Sequence, residues 1–201
     1  MELKKNIIKQ FGKPAGLSGS LVGRLMSIKN KKRSEWTIES LNLKPSDYIL
    51  EVGYGSGSTF NKAAKLLTTG FISGIDHSEV MYQQAFKKNK NFILNKKARL
   101  ELGTVWDLNY TENYFDIIYG SNVHFFWKNP GEEFRKLYAF LKPGGRLIMV
   151  FQPRWAKNDE DVRNIALDTR LMFKEAGFVN VEINYKTMKP ITCISISGLK
   201  Q

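Results

Sequence analysis

Ile49-Leu50-Glu51-Val52-Gly53-Tyr54-Gly55-Ser56-Gly57 is an apolar run that enters a glycine turn directly. The run reads as a buried strand, and the residues after it, from Ser58 to near Leu67, read as a helix. Glycines at alternate positions let a ligand approach the backbone where any Cβ would collide. The amides of the turn and of the helix N-terminus then face that ligand. A strand, glycine loop and helix at the front of an α/β chain predict a nucleotide-type binding site. The spacing narrows the ligand. A dinucleotide fingerprint requires G-x-G-x-x-G. Here the third glycine comes one residue early, and Ser58 stands where that fingerprint has its glycine. A G-K-[ST] ending is missing too, which excludes a phosphate-cradling P-loop. Glu51 lies at the carboxyl end of the strand, two residues before the first glycine. A carboxylate there would repel a pyrophosphate and suits a ligand with a cationic group near the turn.

Outward from this stretch, Gly70 to Ile75 reads as a second strand ending in Asp76. A carboxylate at that position can accept hydrogen bonds from a ribose diol. Its other reading is a helix N-cap, for which Ser78 is better placed. Ala98 to Leu102 forms a third strand, followed by Gly103-Thr104-Val105-Trp106-Asp107-Leu108. Tyr114 to Gly120 forms a fourth, leading into Ser121-Asn122-Val123-His124-Phe125-Phe126-Trp127. A helix from Pro130 to Leu141, a Lys142-Pro143-Gly144-Gly145 turn and a fifth strand from Arg146 to Phe151 come next. Another helix ends at a C-cap glycine, Gly177, and two last strands are expected near Val179 to Tyr185 and Ile191 to Ser197.

E-V-G-Y-G-S-G resembles motif I of the class I S-adenosylmethionine-dependent methyltransferases, and the later segments resemble that family's motifs in the same order. The likeness covers residues 36–201. It implies a doubly wound α/β fold, Rossmann-like, with a seven-stranded, mostly parallel sheet and an antiparallel last strand. It implies S-adenosyl-L-methionine as cofactor. Glu51, Gly53, Tyr54, Gly55 and Gly57 would line its methionine end, Asp76 would hold both ribose hydroxyls, and His77 and Met81 would flank the adenine. Gly103, Thr104 and Val105 would border the adenine, and the loop opening at Ser121 would face the methyl group. Three positions depart from the family pattern. Tyr54 replaces a small residue, so its ring would alter access to the methionine end. His77 is polar where an apolar residue is usual, and Thr104 replaces an Asp, with Asp107 a candidate to compensate. The opening residues, Phe11 to Gly19 through Met26 and Arg33, resemble the N-terminal extension of a bacterial branch near the ubiquinone- and menaquinone-biosynthesis enzymes.

Composition agrees with one globular domain. The chain has 201 residues, 42% of them hydrophobic, enough for one sizeable core. The expected division is an N-terminal helical extension or lid over residues 1–35 and a methyltransferase core over 36–201. The basic N-terminus lacks the apolar stretch of a signal peptide, and no run approaches the length of a membrane span, so a cytoplasmic location without membrane insertion is expected. Cys193, the single cysteine, falls in the last expected strand and reads as core. The net charge of +12 is concentrated at Lys29 to Arg33 and around Lys87 to Arg99. Such a field reads as a solvated lysine-rich surface or as an attraction for RNA or other anions.

The resemblance also implies the chemistry. The methyl donor is already activated, so the protein mainly aligns the reactants and excludes water. A base is needed only for an acceptor that holds its proton near neutrality, and His124 is the candidate. Gly120-Ser121-Asn122-Val123 is not the [ND]-P-P-[YF] motif of amino-group methylation on adenine or glutamine. No cysteine follows the fourth strand to attack a pyrimidine, and no metal-ligand spacing appears. The reading is methyl transfer to an O, N or C nucleophile of a small-molecule acceptor. An RNA methyltransferase using the basic surface and a non-catalytic cofactor-binding protein are the alternatives. The segment from Leu17 to Trp36 and a wall formed by Trp155 are expected to shape the acceptor pocket.

Overall fold

The computed structural model describes residues 31–201. Most of the expected N-terminal extension, residues 1–30, lies outside that range. The described chain opens on helix α1 (Lys31–Leu41), which runs across the expected boundary at residue 36. Then follow β1 (Tyr48–Val52), α2 (Ser58–Leu66), β2 (Phe71–Asp76), α3 (Glu79–Leu94) and β3 (Ala98–Leu102). The second half comprises β4 (Phe115–Ser121), α4 (Pro130–Phe140), β5 (Leu141–Phe151), α5 (Asp159–Glu175), β6 (Val179–Lys186) and β7 (Cys193–Leu199).

The seven strands form one sheet in the order β3-β2-β1-β4-β5-β7-β6. β1 pairs in parallel with both β2 and β4. β7 runs antiparallel to both of its neighbours, β5 and β6. The order therefore reverses at β1, and the crevice between the β1 and β4 carboxyl ends is where an open α/β sheet takes a ligand.

β1 is apolar on both faces because both faces are covered. Leu50 and Val52 join a core with Phe134, Phe151 and Phe173 under α4 and α5. Ile49 joins the opposite core with Leu41, Phe60 and Ala85, under α1, α2 and α3. Helix α2 buries Phe60, Ala63 and Ala64, one stripe at helical spacing. Cys193 is fully buried, and its thiol donates to the Phe151 carbonyl at 3.2 Å. Among the described residues no helix is long and apolar enough to cross a membrane.

Most boundaries fall within two residues of expectation, and the start of β5 differs most. Lys142 to Gly145, read as a turn, belongs to a continuous β5. The reason lies at the chain's end: Gly144 N–H donates to the Lys200 carbonyl at 2.8 Å, and Lys200 N–H returns a bond to Gly145 at 2.9 Å. The shift appears instead as an irregular register between Phe115 and Ile117 against β5.

Candidate cofactor and acceptor site

The β1–α2 connection is a backbone feature first. Gly53 has φ +76°, and a Cβ there would meet Val123 Cγ2 at 2.7 Å. Gly55 has φ +52°, and a Cβ there would meet nothing within 4 Å. The first glycine is thus required by its neighbour, whereas the second opens onto free space. Gly57 caps α2 without a side-chain bond, so the helix begins with its amides directed at the turn. Asn89, fully buried on α3, donates to the Gly57 carbonyl at 3.2 Å and to the Ala85 carbonyl at 2.8 Å.

Asp76 ends β2 beside this turn. Its Oδ2 accepts from Gly55 N–H at 2.8 Å, and its Oδ1 accepts from Ser78 N–H at 3.0 Å. One carboxylate therefore ties the glycine loop to the start of α3, and each oxygen keeps a lone pair for a further donor. Ser78, not Asp76, caps α3, accepting from Met81 N–H at 3.4 Å. His77 is exposed, with Nδ1 4.0 Å from Asp76 Oδ1, and Met81 is buried in α3.

Glu51 is buried at 2% exposure on the strand that leads into the turn. Its cross-strand partner is Tyr119, whose hydroxyl donates to Oε2 at 3.0 Å. Burial pushes the Glu51 carboxyl well above the ordinary 4.5; the Tyr119 bond opposes that shift and repulsion from Asp76 adds to it. A buried acid held near neutrality beside a ligand crevice gains from a cationic group.

Gly103 and Thr104 follow β3. Thr104 does not stand alone: its N–H and its hydroxyl both donate to Asp107 Oδ2 at 2.8 Å. Those two bonds lower the Asp107 carboxyl below its ordinary value. Val105 is buried in the short 3-10 turn that this capping box opens.

Several residues stand elsewhere than the sequence implied. The Tyr54 ring turns under the loop, packs edge-on against Phe60 at 6.4 Å, and its hydroxyl donates to the Glu101 carbonyl at 3.0 Å. The ring is buried away from solvent, at 4% exposure. His124 is the larger difference. It is 2% exposed, in an aromatic cage with Phe125 at 3.9 Å and Phe151 at 4.7 Å between ring centroids. Neither ring nitrogen has a hydrogen-bond partner among the described residues, and burial lowers its pKa to about 3. It borders a cavity of about 200 Å³ on the α4–α5 face with Trp155, Ile165 and Met172. Trp155 is seated against Phe125, at 4.5 Å between centroids, so it lines that cavity.

The structure thus brings Glu51, Gly53, Gly55, Gly57, Asp76, His77, Gly103 and Thr104 to the carboxyl ends of three adjacent strands, with Ser121 on the fourth. Three contributors were not singled out from sequence. Tyr119 becomes visible as the partner of Glu51 once β1 and β4 are placed in register. Asn89 continues the Met81–Ala85 spacing of the buried α3 face, where a polar residue is the signal. Arg33 belongs to a basic cluster that reads as surface, yet its Nε donates to Ser121 Oγ at 3.2 Å.

This arrangement fits a nucleoside with an amino-acid tail: a carboxylate for a diol, a buried acid for a cation, and an open glycine backbone between them. Comparison with known proteins agrees. A family profile described as a methyltransferase domain matches residues 49–145. The chain is 30% identical to the uncharacterized methyltransferase YdaC of Bacillus subtilis, over 90% of this chain and 98% of that protein. It is 31% identical to a demethylmenaquinone methyltransferase of Symbiobacterium thermophilum, over 56% of this chain and 45% of that one, so it spans under half of that relative. A SAM-dependent methyltransferase structure from Aquifex aeolicus superposes with a TM-score of 0.69 at 18% identity, covering 90% of this chain and 98% of that one. That last likeness concerns the fold.

Proposed function

The chain belongs to the class I S-adenosylmethionine-dependent methyltransferases, and from that premise we propose that its acceptor is a small molecule carrying an O, N or C nucleophile. The observation that carries the cofactor half of this reading is the double tether on Asp76, to Gly55 N–H and Ser78 N–H, beside open space at Gly55. The acceptor half is supported by the likeness to a demethylmenaquinone methyltransferase.

S-adenosylmethionine supplies, when bound, a methyl group already activated for displacement. The chain's own residues then have four tasks. Asp76 accepts the two ribose hydroxyls with its remaining lone pairs. Glu51 balances the positive charge of the amino-acid end, and Tyr119 holds its carboxyl in place. The amides of Gly53 to Gly57 fix the position of the tail. Gly103, Thr104 and Val105, stiffened by the Asp107 cap, form the wall on the base side, and His77 and Met81 flank it.

His124 is a packing residue in this scheme. A neutral imidazole with a pKa near 3 accepts a proton poorly at pH 7, and aromatic rings enclose it. The acceptor accordingly brings a nucleophile that needs no strong base from this loop. The test supplies labelled S-adenosylmethionine with either a low-molecular-weight metabolite extract or total RNA. Label in the small-molecule fraction is the expected result. Label confined to RNA, falling steeply with salt, would replace this acceptor class with nucleic acid.

A further inference from the structure

Arg33 stands in the first turn of α1, 8% exposed. Its Nε is bonded to Ser121 Oγ at the carboxyl end of β4. Its Nη1 is buried and has no hydrogen-bond partner among the described residues. The titratable groups that act on it are the Cys193 thiol, which burial raises to about 11 and so keeps uncharged near neutrality, and a second cation, Arg154. Desolvation lowers the guanidinium to about 10, so it remains charged at neutral pH. The ion pairs formed by described residues leave Arg33 out. Residues 1–30 carry one acid, Glu2, against five lysines and one arginine. A buried charge without a counter-ion is costly, and removing it from water is repaid only by a well-placed anion.

The location decides what kind of anion. Asp76 ends β2, Glu51 lies on β1, and Ser121 ends β4, so these groups follow one another along the sheet edge. Arg154 follows β5 and Cys193 begins β7, on the side of Ser121 away from Asp76. Arg33 therefore faces the acceptor side. Ser121, accepting from Arg33 Nε, keeps its own O–H to donate, and it is half-buried rather than sealed. A guanidinium edge with a hydroxyl beside it matches the oxygens of a carboxylate or phosphate.

We propose that Arg33 and Ser121 form a subsite for an acidic group, carboxylate or phosphate, on the methyl acceptor. This rests on the methyltransferase reading of the adjacent crevice. It makes the substrate class an anionic small molecule whose nucleophile lies within a few bonds of its charge.

The experiment uses the full chain, with inorganic phosphate and acetate as probes. Each is titrated by calorimetry and by thermal shift into protein with and without S-adenosylhomocysteine, at constant ionic strength set with chloride. The wild type should bind one of the two anions and be raised in Tm by it. Arg33→Met should lose that binding at least tenfold and Arg33→Lys should retain most of it, while affinity for S-adenosylhomocysteine stays within twofold in both. Arg33→Met should also melt no lower than wild type without anion, since it removes an unpaired buried charge. An anion effect no greater than that of chloride would overturn the subsite. A tenfold loss of S-adenosylhomocysteine affinity in Arg33→Met would overturn it too, giving the guanidinium to the cofactor's own carboxylate. Failure of the wild type to bind S-adenosylhomocysteine would instead strike the cofactor reading, because the phosphate and acetate arms without nucleoside still read Arg33 by itself.

Discussion

Glu51 and His124 are both 2% exposed, both close to the carboxyl edge of the sheet, and both pushed by burial toward their neutral forms. They lie on opposite faces and in opposite surroundings. Glu51 has a hydroxyl partner in Tyr119 and a second carboxylate within electrostatic reach. His124 has aromatic rings and no polar partner among the described residues. The same desolvation thus has two meanings. Where a polar partner and an adjoining crevice accompany it, it stores an affinity for a ligand of opposite charge. Where rings and no polar partner accompany it, it acts at the expense of acid stability.

The largest predicted effect separates the two by pH. His124 is depressed from 6.5 to about 3, so the folded protein keeps it neutral while the unfolded chain binds a proton. Its contribution is present above pH 6.5 and is lost as the pH falls toward 3. The slope is about 1.4 kcal/mol per pH unit. Urea unfolding at pH 7, 6 and 5 should show this slope in wild type and a shallower one in His124→Phe. Equal slopes would mean that His124 titrates freely in the folded state. Glu51 carries the reverse sign. Its raised carboxyl contributes fully below the ordinary 4.5, and that contribution is lost as the pH rises through the folded value.

The next effect concerns ligand binding. A cationic group beside Glu51 favours the ionised carboxyl, so cofactor binding should release a proton. Calorimetry of S-adenosylmethionine in buffers of different ionisation enthalpy should show that release in wild type and not in Glu51→Gln. Affinity in the variant should fall about tenfold, the equivalent of one charge-assisted bond of about 1.5 kcal/mol. Equal proton release in both proteins would remove Glu51 from the site. The smallest effect comes from making Glu51 more like His124. Tyr119→Phe removes the one side-chain bond that opposes the raised pKa, and should cost about 1 kcal/mol of stability. Denaturation at neutral pH measures it, and an unchanged midpoint would show the bond to be without net value.

Local sequence carried most of the fold, and physical reasons mark where it did not. The strand–turn–helix at Glu51 to Gly57 and the strand end at Asp76 were legible because their constraints are local: apolar run, glycine dihedrals, strand-terminal acid. The limits of β3 coincide with those read from the chain. Arg33 was not legible, because burial of one member of a basic cluster depends on how α1 packs across β4. The direction of the Tyr54 ring depends on Gly74, whose missing Cβ leaves the space that the ring fills, 2.9 Å from that position. His124 beside Phe125 and Phe126 reads as part of a loop facing the methyl group until β5 and α4 supply Phe151 and Phe134 to close over it.

Asp76 is the joint of the whole account, since it holds Gly55 and Ser78 together and faces the expected diol. The most direct measurement is calorimetric titration of S-adenosylhomocysteine into wild type and Asp76→Ala, with circular dichroism to confirm that the variant is folded. Binding to wild type near micromolar strength, about −8 kcal/mol, reduced by at least thirtyfold in the folded variant, is the predicted result. Equal affinity in the two proteins would contradict the assignment of Asp76 to the cofactor, and with it the crevice built around it.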